Sequence, residues 1–146
     1  MPRHIVYIIN PISGTRKKSG LQKLIEEKTK KENIPFKIFP SVASGDYSFL
    51  SSIIKDEKIT DIVVAGGDGT LSQVVGSLMN ENVNFGVIPC GSGNGLAMAA
   101  GISKEPQKAL EIRIIGLKNP IKKKSLKRLK NQKEKKEKKN RKIYLL

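Results

Sequence analysis

Gly66-Gly67-Asp68-Gly69-Thr70, entered from Ile62-Val63-Val64-Ala65, is the stretch of this 146-residue chain whose residue types and spacing could do chemistry. Three missing Cβ atoms within four residues allow a tight turn and let another group approach the backbone N–H donors. The unalternated β-branched run before them reads as a strand buried on both faces of a parallel sheet. Thr70 reads as the N-cap of a helix over 71–79. A strand end, bare amides and a helix N-terminus carrying roughly half a positive charge together favour phosphate. Asp68 is the exception, because a carboxylate repels phosphate. Its presence calls for a partner that donates hydrogen bonds, such as a ribose or an amide, or for a bridging Mg²⁺. The plainer alternative is a βα turn closed by an Asx-type bond.

Those residues need elements to hold them. His4 to Asn10 is an apolar run that ends in Pro11-Ile12-Ser13-Gly14 and a basic loop. Leu21, Leu24, Ile25 and Lys28 follow at helical spacing, with Ser19 as a candidate N-cap and Asn33 and Pro35 closing the helix. Phe36 to Phe39 alternates as a strand between Pro35 and Pro40. A second helix is expected from Ser44-Gly45-Asp46 to about Glu57, with Phe49, Leu50, Ile53 and Ile54 as its apolar stripe. After the central strand and helix, Phe85 to Ile88 is a fourth strand leading into Pro89-Cys90-Gly91-Ser92-Gly93-Asn94-Gly95. Short helices over 96–100 and from Pro106 to Ile115 complete a β-α-β-α-β-α-β-α order. That order calls for an α/β fold: a parallel, Rossmann-like sheet in three layers with right-handed crossovers. Ligands of such sheets bind outside the carboxyl ends of the strands, where the turns 10–14, 66–72 and 91–95 are expected to converge.

Charge divides the chain unevenly. Residues 1–116 hold 14 Lys and Arg against 11 Asp and Glu, whereas 117–146 hold 14 against 2. The expected division is a nucleotide-binding domain over 1–116 and a Lys-rich tail over 117–146, disordered or frayed helix because its few apolar residues cannot build a core. Such a tail is either solvated with no selected partner or drawn to an anionic membrane, at about 1 kcal/mol per basic residue near the surface. No aromatic residue is interleaved before Tyr144, which argues against single-strand stacking, so no specific nucleic-acid partner is expected. One cysteine excludes an intrachain disulfide, and neither a signal peptide nor a long apolar run is present. The expectation is a cytoplasmic protein, with peripheral membrane contact through the tail. His4 at a strand start reads as structural, Cys90 as a small buried side chain, and Arg16-Lys17-Lys18 equally as a phosphate-facing or a solvated cluster. No Walker loop is present.

Asn10-Pro-Ile-Ser-Gly14, Gly66-Gly-Asp-Gly-Thr70 and Pro89-Cys-Gly-Ser-Gly-Asn94, in that order, resemble the catalytic-domain signature of the diacylglycerol kinase and sphingosine kinase family of lipid kinases, over about residues 3–115. The resemblance implies a fold like those of NAD kinase and diacylglycerol kinase, ATP and Mg²⁺ at the site, and transfer of a phosphoryl group to a lipid acceptor. It further implies nucleotide contacts from Asn10, Pro11, Ile12, Ser13, Gly14, Gly66, Gly67, Asp68, Gly69, Thr70, Leu71 and Ser72, with Ser41 and Ser92 supplying hydroxyls, Asn94 shaping its turn and Asp68 nearest the chemistry. Gln73 stands where the family usually has an acidic residue, and Met98 where an arginine is common. Family enzymes continue into a β-rich second domain that closes the cleft. A truncated or frame-shifted kinase is therefore expected, slow or inactive alone, beside the alternatives of an NAD kinase-like enzyme and a non-catalytic anion-binding remnant.

Overall fold

The computed structural model describes residues 2–9 and 18–89 together with Asn131. Seven elements alternate along it: β1 (Ile5–Ile9), α1 (Lys18–Lys31), β2 (Phe36–Pro40), α2 (Leu50–Asp56), β3 (Asp61–Gly66), α3 (Asp68–Leu78) and β4 (Asn84–Pro89). The four strands form one parallel sheet in the order β2-β1-β3-β4. The expected α/β Rossmann-like architecture is therefore observed. The helices expected over 96–100 and 106–115, and all of the tail except Asn131, lie outside the described residues.

The β-branched runs form the inner strands for the reason their composition suggests. Every residue of β1 and β3 is buried, so both strands are apolar on two faces. On one face Val6, Ile8, Ile62 and Val64 pack with Leu50 and Ile54 of α2 and with Leu71, Val74, Val75 and Leu78 of α3. On the other, Ile5, Tyr7, Ile9, Val63 and Ala65 pack with Ile25 of α1. Each such aliphatic side chain contributes about 1.5–3 kcal/mol when fully buried. The split of helices between faces is what crossovers of a single hand require, because β1 to β2 runs in the opposite direction to β2 to β3 and β3 to β4. Tyr7 is the polar exception in the core. Its hydroxyl lies 3.0 Å from Thr29 Oγ1, which in turn donates to the Ile25 carbonyl, and burial pushes the phenol above its usual pKa.

Three boundaries differ from those expected. α1 begins at Lys18, so Ser19 lies inside it, a shift within ordinary fraying. Its other end is as expected: Asn33 adopts a left-handed φ of 55° and its N–H donates to the Lys30 carbonyl. α2 begins at Leu50, not near Ser44, because side chains there bond the backbone locally. Ser44 Oγ accepts from Asp46 N–H, Asp46 Oδ1 accepts from Ser48 N–H at 2.9 Å, and Gly45 sits at φ +70°. In consequence Tyr47, not Phe49, enters the core, and Phe49 remains 44% exposed. Finally, α3 begins at Asp68 with Gly67, not Thr70, as its N-cap: Gly67 is extended and its carbonyl accepts from Leu71 N–H at 3.2 Å, while Thr70 lies within the helix and is buried.

Candidate functional site

The chain leaves β1 toward β2 on one side and leaves β3 toward β4 on the other, so the connections diverge between the carboxyl ends of β1 and β3. In an open parallel sheet that divergence leaves a crevice, the usual position of a ligand. The four carboxyl ends are level: Ile9 pairs with Pro40 and with Ala65, and Gly66 pairs with Pro89. Ser41 extends the line by one residue, its N–H donating to the Ile9 carbonyl at 3.1 Å. Ser41 and the Gly66-to-Ser72 turn are thereby brought to the same edge of the sheet. Asn10, Pro11, Ile12, Ser13, Gly14, Ser92 and Asn94, with Cys90, Arg16 and Lys17, lie outside the described residues.

At that edge, α3 meets the crevice with its N-terminus. Gly67 offers no capping side chain, and a carboxylate, Asp68, occupies the first turn, where the helix dipole favours negative charge. Asp68 is half-buried and Gly69 exposed, whereas Thr70 and Leu71 are buried. Leu71 seats the helix in the core, and Ser72 is half-buried one residue on. The glycines are not explained by backbone strain. Gly67 has φ −99° and ψ −175°, a conformation any residue adopts, and among the described residues only Gly45 is a glycine with positive φ. Nor does packing exclude a side chain, because a Cβ at Gly67 or Gly69 would meet no atom within 4 Å among the described residues. What remains is the second use of glycine, to leave room for a group that approaches the backbone. A turn that merely reversed the chain would need neither residue.

The loop after Ser41 is tied to the same helix. Gly45 packs so closely on the Gln73 side chain that a Cβ there would fall 2.7 Å from Gln73 Nε2. Tyr47 donates its N–H to Ser77 Oγ at 3.0 Å and accepts the Val42 N–H on its hydroxyl at 3.1 Å. Gln73 thus lies against the loop, whereas an acidic residue at that position was the family expectation. Tyr47 was hidden from sequence reasoning inside an expected helix; the Ser44-Gly45-Asp46 triplet beside it is the signal that could have marked a turn. The Ser48 N–H that Asp46 accepts holds the Asp46 carboxyl below the usual range.

His4 is at the opposite edge, as a structural residue should be. Its Nδ1 donates to the Glu57 carbonyl at 2.9 Å. Among the described residues no three His, Cys, Asp or Glu side chains gather as a metal cluster, and Asp68 is a carboxylate that the described part of this edge offers a cation. Mg²⁺ commonly takes one or two carboxylates and completes its shell with phosphate and water, so this donor set fits it. Among the same residues no helix is long and apolar enough to cross a membrane.

Comparison with known proteins agrees with this geometry. Residues 4–126 match the family model described as the diacylglycerol kinase catalytic domain. The chain is 33% identical over 119 residues to a diacylglycerol kinase of Bacillus subtilis, covering 78% of this chain and 39% of that protein. It is 28% identical over 120 residues to sphingosine kinase B of Dictyostelium discoideum, covering 75% and 15%. The chain spans well under half the length of both relatives. A crystal structure of a diacylglycerol kinase from Bacillus anthracis superposes with a TM-score of 0.66 at 20% identity, over 77% of this chain and 39% of that one, a likeness of fold.

Proposed function

Because the chain belongs to the diacylglycerol kinase catalytic-domain family, we propose that it provides the nucleotide-binding half of an ATP-dependent lipid kinase, the γ-phosphoryl group passing to a lipid hydroxyl. The observation that carries this reading is the open space over Gly67 and Gly69 at the N-terminus of α3, on the crevice between β1 and β3. A triphosphate would meet the positive end of a helix there, and among the described residues no side chain fills the space over Gly67 and Gly69. Ser41, on the β2 side of the crevice, would add a hydroxyl to the nucleotide.

Phosphoryl transfer depends on positioning and charge stabilisation more than on covalent help from the protein. The glycine turn and α3 supply the positioning. Asp68 would hold the cation, which would supply positive charge to offset that of the transferring phosphoryl group. Asp68 stands in the first turn of α3, where the helix dipole favours a negative charge. The lipid hydroxyl would approach from the open side of the crevice. Residues 117–146, with their 14 Lys and Arg, would keep the protein near an anionic lipid surface.

Calorimetry with Mg·ATP on the full chain and on Asp68→Ala tests the reading, followed by a radiolabelled phosphate assay on diacylglycerol, sphingosine and NAD. Saturable binding that Asp68→Ala weakens by about tenfold or more supports it. A folded wild-type chain that does not bind Mg·ATP overturns it. Labelling of NAD in place of either lipid would transfer the assignment to a nucleotide acceptor.

A further inference from the structure

The segment between Ser41 and Tyr47 is closed on itself and pinned to α3 at two points, and nothing in the proposed chemistry uses it. Its closure is the 3.1 Å bond from Val42 N–H to the Tyr47 hydroxyl, supported by Gly45 N–H donating to the Val42 carbonyl at 3.1 Å. The first pin is the contact of Gly45, at φ +70°, with the Gln73 side chain. The second is Tyr47 N–H on Ser77 Oγ, whose own proton goes to the Gln73 carbonyl at 3.0 Å. The Tyr47 ring is fully buried in the core cluster that also contains Leu71 and Val74.

Ser41 is therefore held from both sides. Its N–H is fixed by the Ile9 carbonyl, and the peptide that follows it is fixed through Val42 N–H by the Tyr47 hydroxyl. With both flanking peptides held, the direction of the Ser41 side chain from the backbone is set. Because the same loop packs on Gln73 and is bonded to Ser77, that direction is set relative to α3, whose first turn carries Asp68. We propose that Tyr47 is a positioning residue for the nucleotide edge: its hydroxyl, through Val42, holds Ser41 in register with the N-terminus of α3. This rests on the nucleotide reading above. The ring and the hydroxyl of Tyr47 then have separate tasks, burial for the first and alignment for the second.

Tyr47→Phe separates them, since the ring keeps its place and only the bond to Val42 is lost. In the full chain, Tyr47→Phe and Ser41→Ala are each expected to weaken Mg·ATP binding by about fivefold, the worth of one hydrogen bond, with circular dichroism unchanged. The double variant is expected to bind no more weakly than Ser41→Ala alone, because Tyr47 acts through Ser41. A merely structural tyrosine would give additive losses, and additivity overturns the proposal, as does wild-type affinity in Tyr47→Phe or in Ser41→Ala. Where Tyr47→Phe does not fold, Ser77→Ala removes the pin on α3 and is read in the same cycle. A wild-type chain without Mg·ATP affinity defeats the nucleotide reading itself; a binding wild type with an indifferent Tyr47→Phe defeats only the role of Tyr47.

Discussion

The two edges of the sheet are built on opposite principles. At the amino edge polar groups bond one another from strand to strand, with Asp61 Oδ1 buried and unmatched among the described residues. His4 N–H donates to Thr60 Oγ1, Thr60 N–H to the His4 carbonyl, and Asn84 N–H to the Thr60 carbonyl. Thr60 Oγ1 lies 2.6 Å from Asp61 Oδ2, which also receives Arg3 Nε at 3.3 Å, while Lys37 pairs with Glu57. At the carboxyl edge the protein supplies glycines where side chains would fit and no capping side chain at the start of α3. One edge uses its residues to hold the strands together, and the other carries glycines with room around them among the described residues. The contrast separates stability from binding along a single set of strands, and it can be attacked from either side.

The largest effect is expected at the closed edge. Asp61 is 1% exposed, and Asp61→Ala removes the carboxylate shared by Arg3 and Thr60. A loss of about 2–3 kcal/mol is expected in urea unfolding, with Mg·ATP affinity of the folded protein unchanged. A drop in affinity at equal folding would mean that the two edges are coupled.

At the open edge the expected signs reverse. Gly69→Ala introduces a better helix former into α3 at a position with room for a Cβ, so stability should stay level or rise by up to about 1 kcal/mol. Affinity for Mg·ATP should fall by about tenfold in the same variant, because the methyl group occupies the approach to the backbone. Parallel titrations and thermal melts decide it: unaltered binding would show that the open space above the glycine has no occupant.

The smallest expected effect belongs to the core between the edges. Tyr7→Phe deletes the buried bond to Thr29 and should cost about 1 kcal/mol. Its pH dependence has a definite sign. Burial raises the folded-state pKa of Tyr7 above the ordinary 10.0 of a tyrosine, so its contribution is complete below pH 10.0 and is lost as pH rises through the folded value. Unfolding curves on either side of pH 10 should show a steeper alkaline loss in the wild type than in Tyr7→Phe. Equal slopes would place the alkaline transition on other groups.

The sheet was legible because Ile5–Ile9 and Asp61–Gly66 are unbroken apolar runs, and a strand buried on both faces leaves that mark directly in composition. The start of α2 was not. Phe49, Leu50, Ile53 and Ile54 recur at helical spacing, but the helical pattern says nothing of the local bonds that Ser44 and Asp46 make to the backbone, and those bonds delay the helix to Leu50. The glycine turn was legible in kind, and two uses were open for its glycines: a tight turn and an approach to the backbone. Gly67 is extended, so the room around it among the described residues is the informative property. The Tyr47 clasp was illegible for a further reason: its partners, Val42, Gln73 and Ser77, belong to two segments that only the tertiary fold brings together.

The strand order carries a consequence for how the molecule comes into being. β1 is synthesised first, yet Ile5 must pair with Phe36 on one side and with Asp61 on the other. An emerging chain therefore carries its most apolar strand with one flank bare until β3 has left the ribosome, and non-local parallel pairing of this kind is slow. Of the two pairings that β1 makes, the one with β3 becomes possible second, so the crevice between them forms only after β3 has emerged. The same delay makes β1 the segment through which an interrupted or stalled chain would stick to its neighbours.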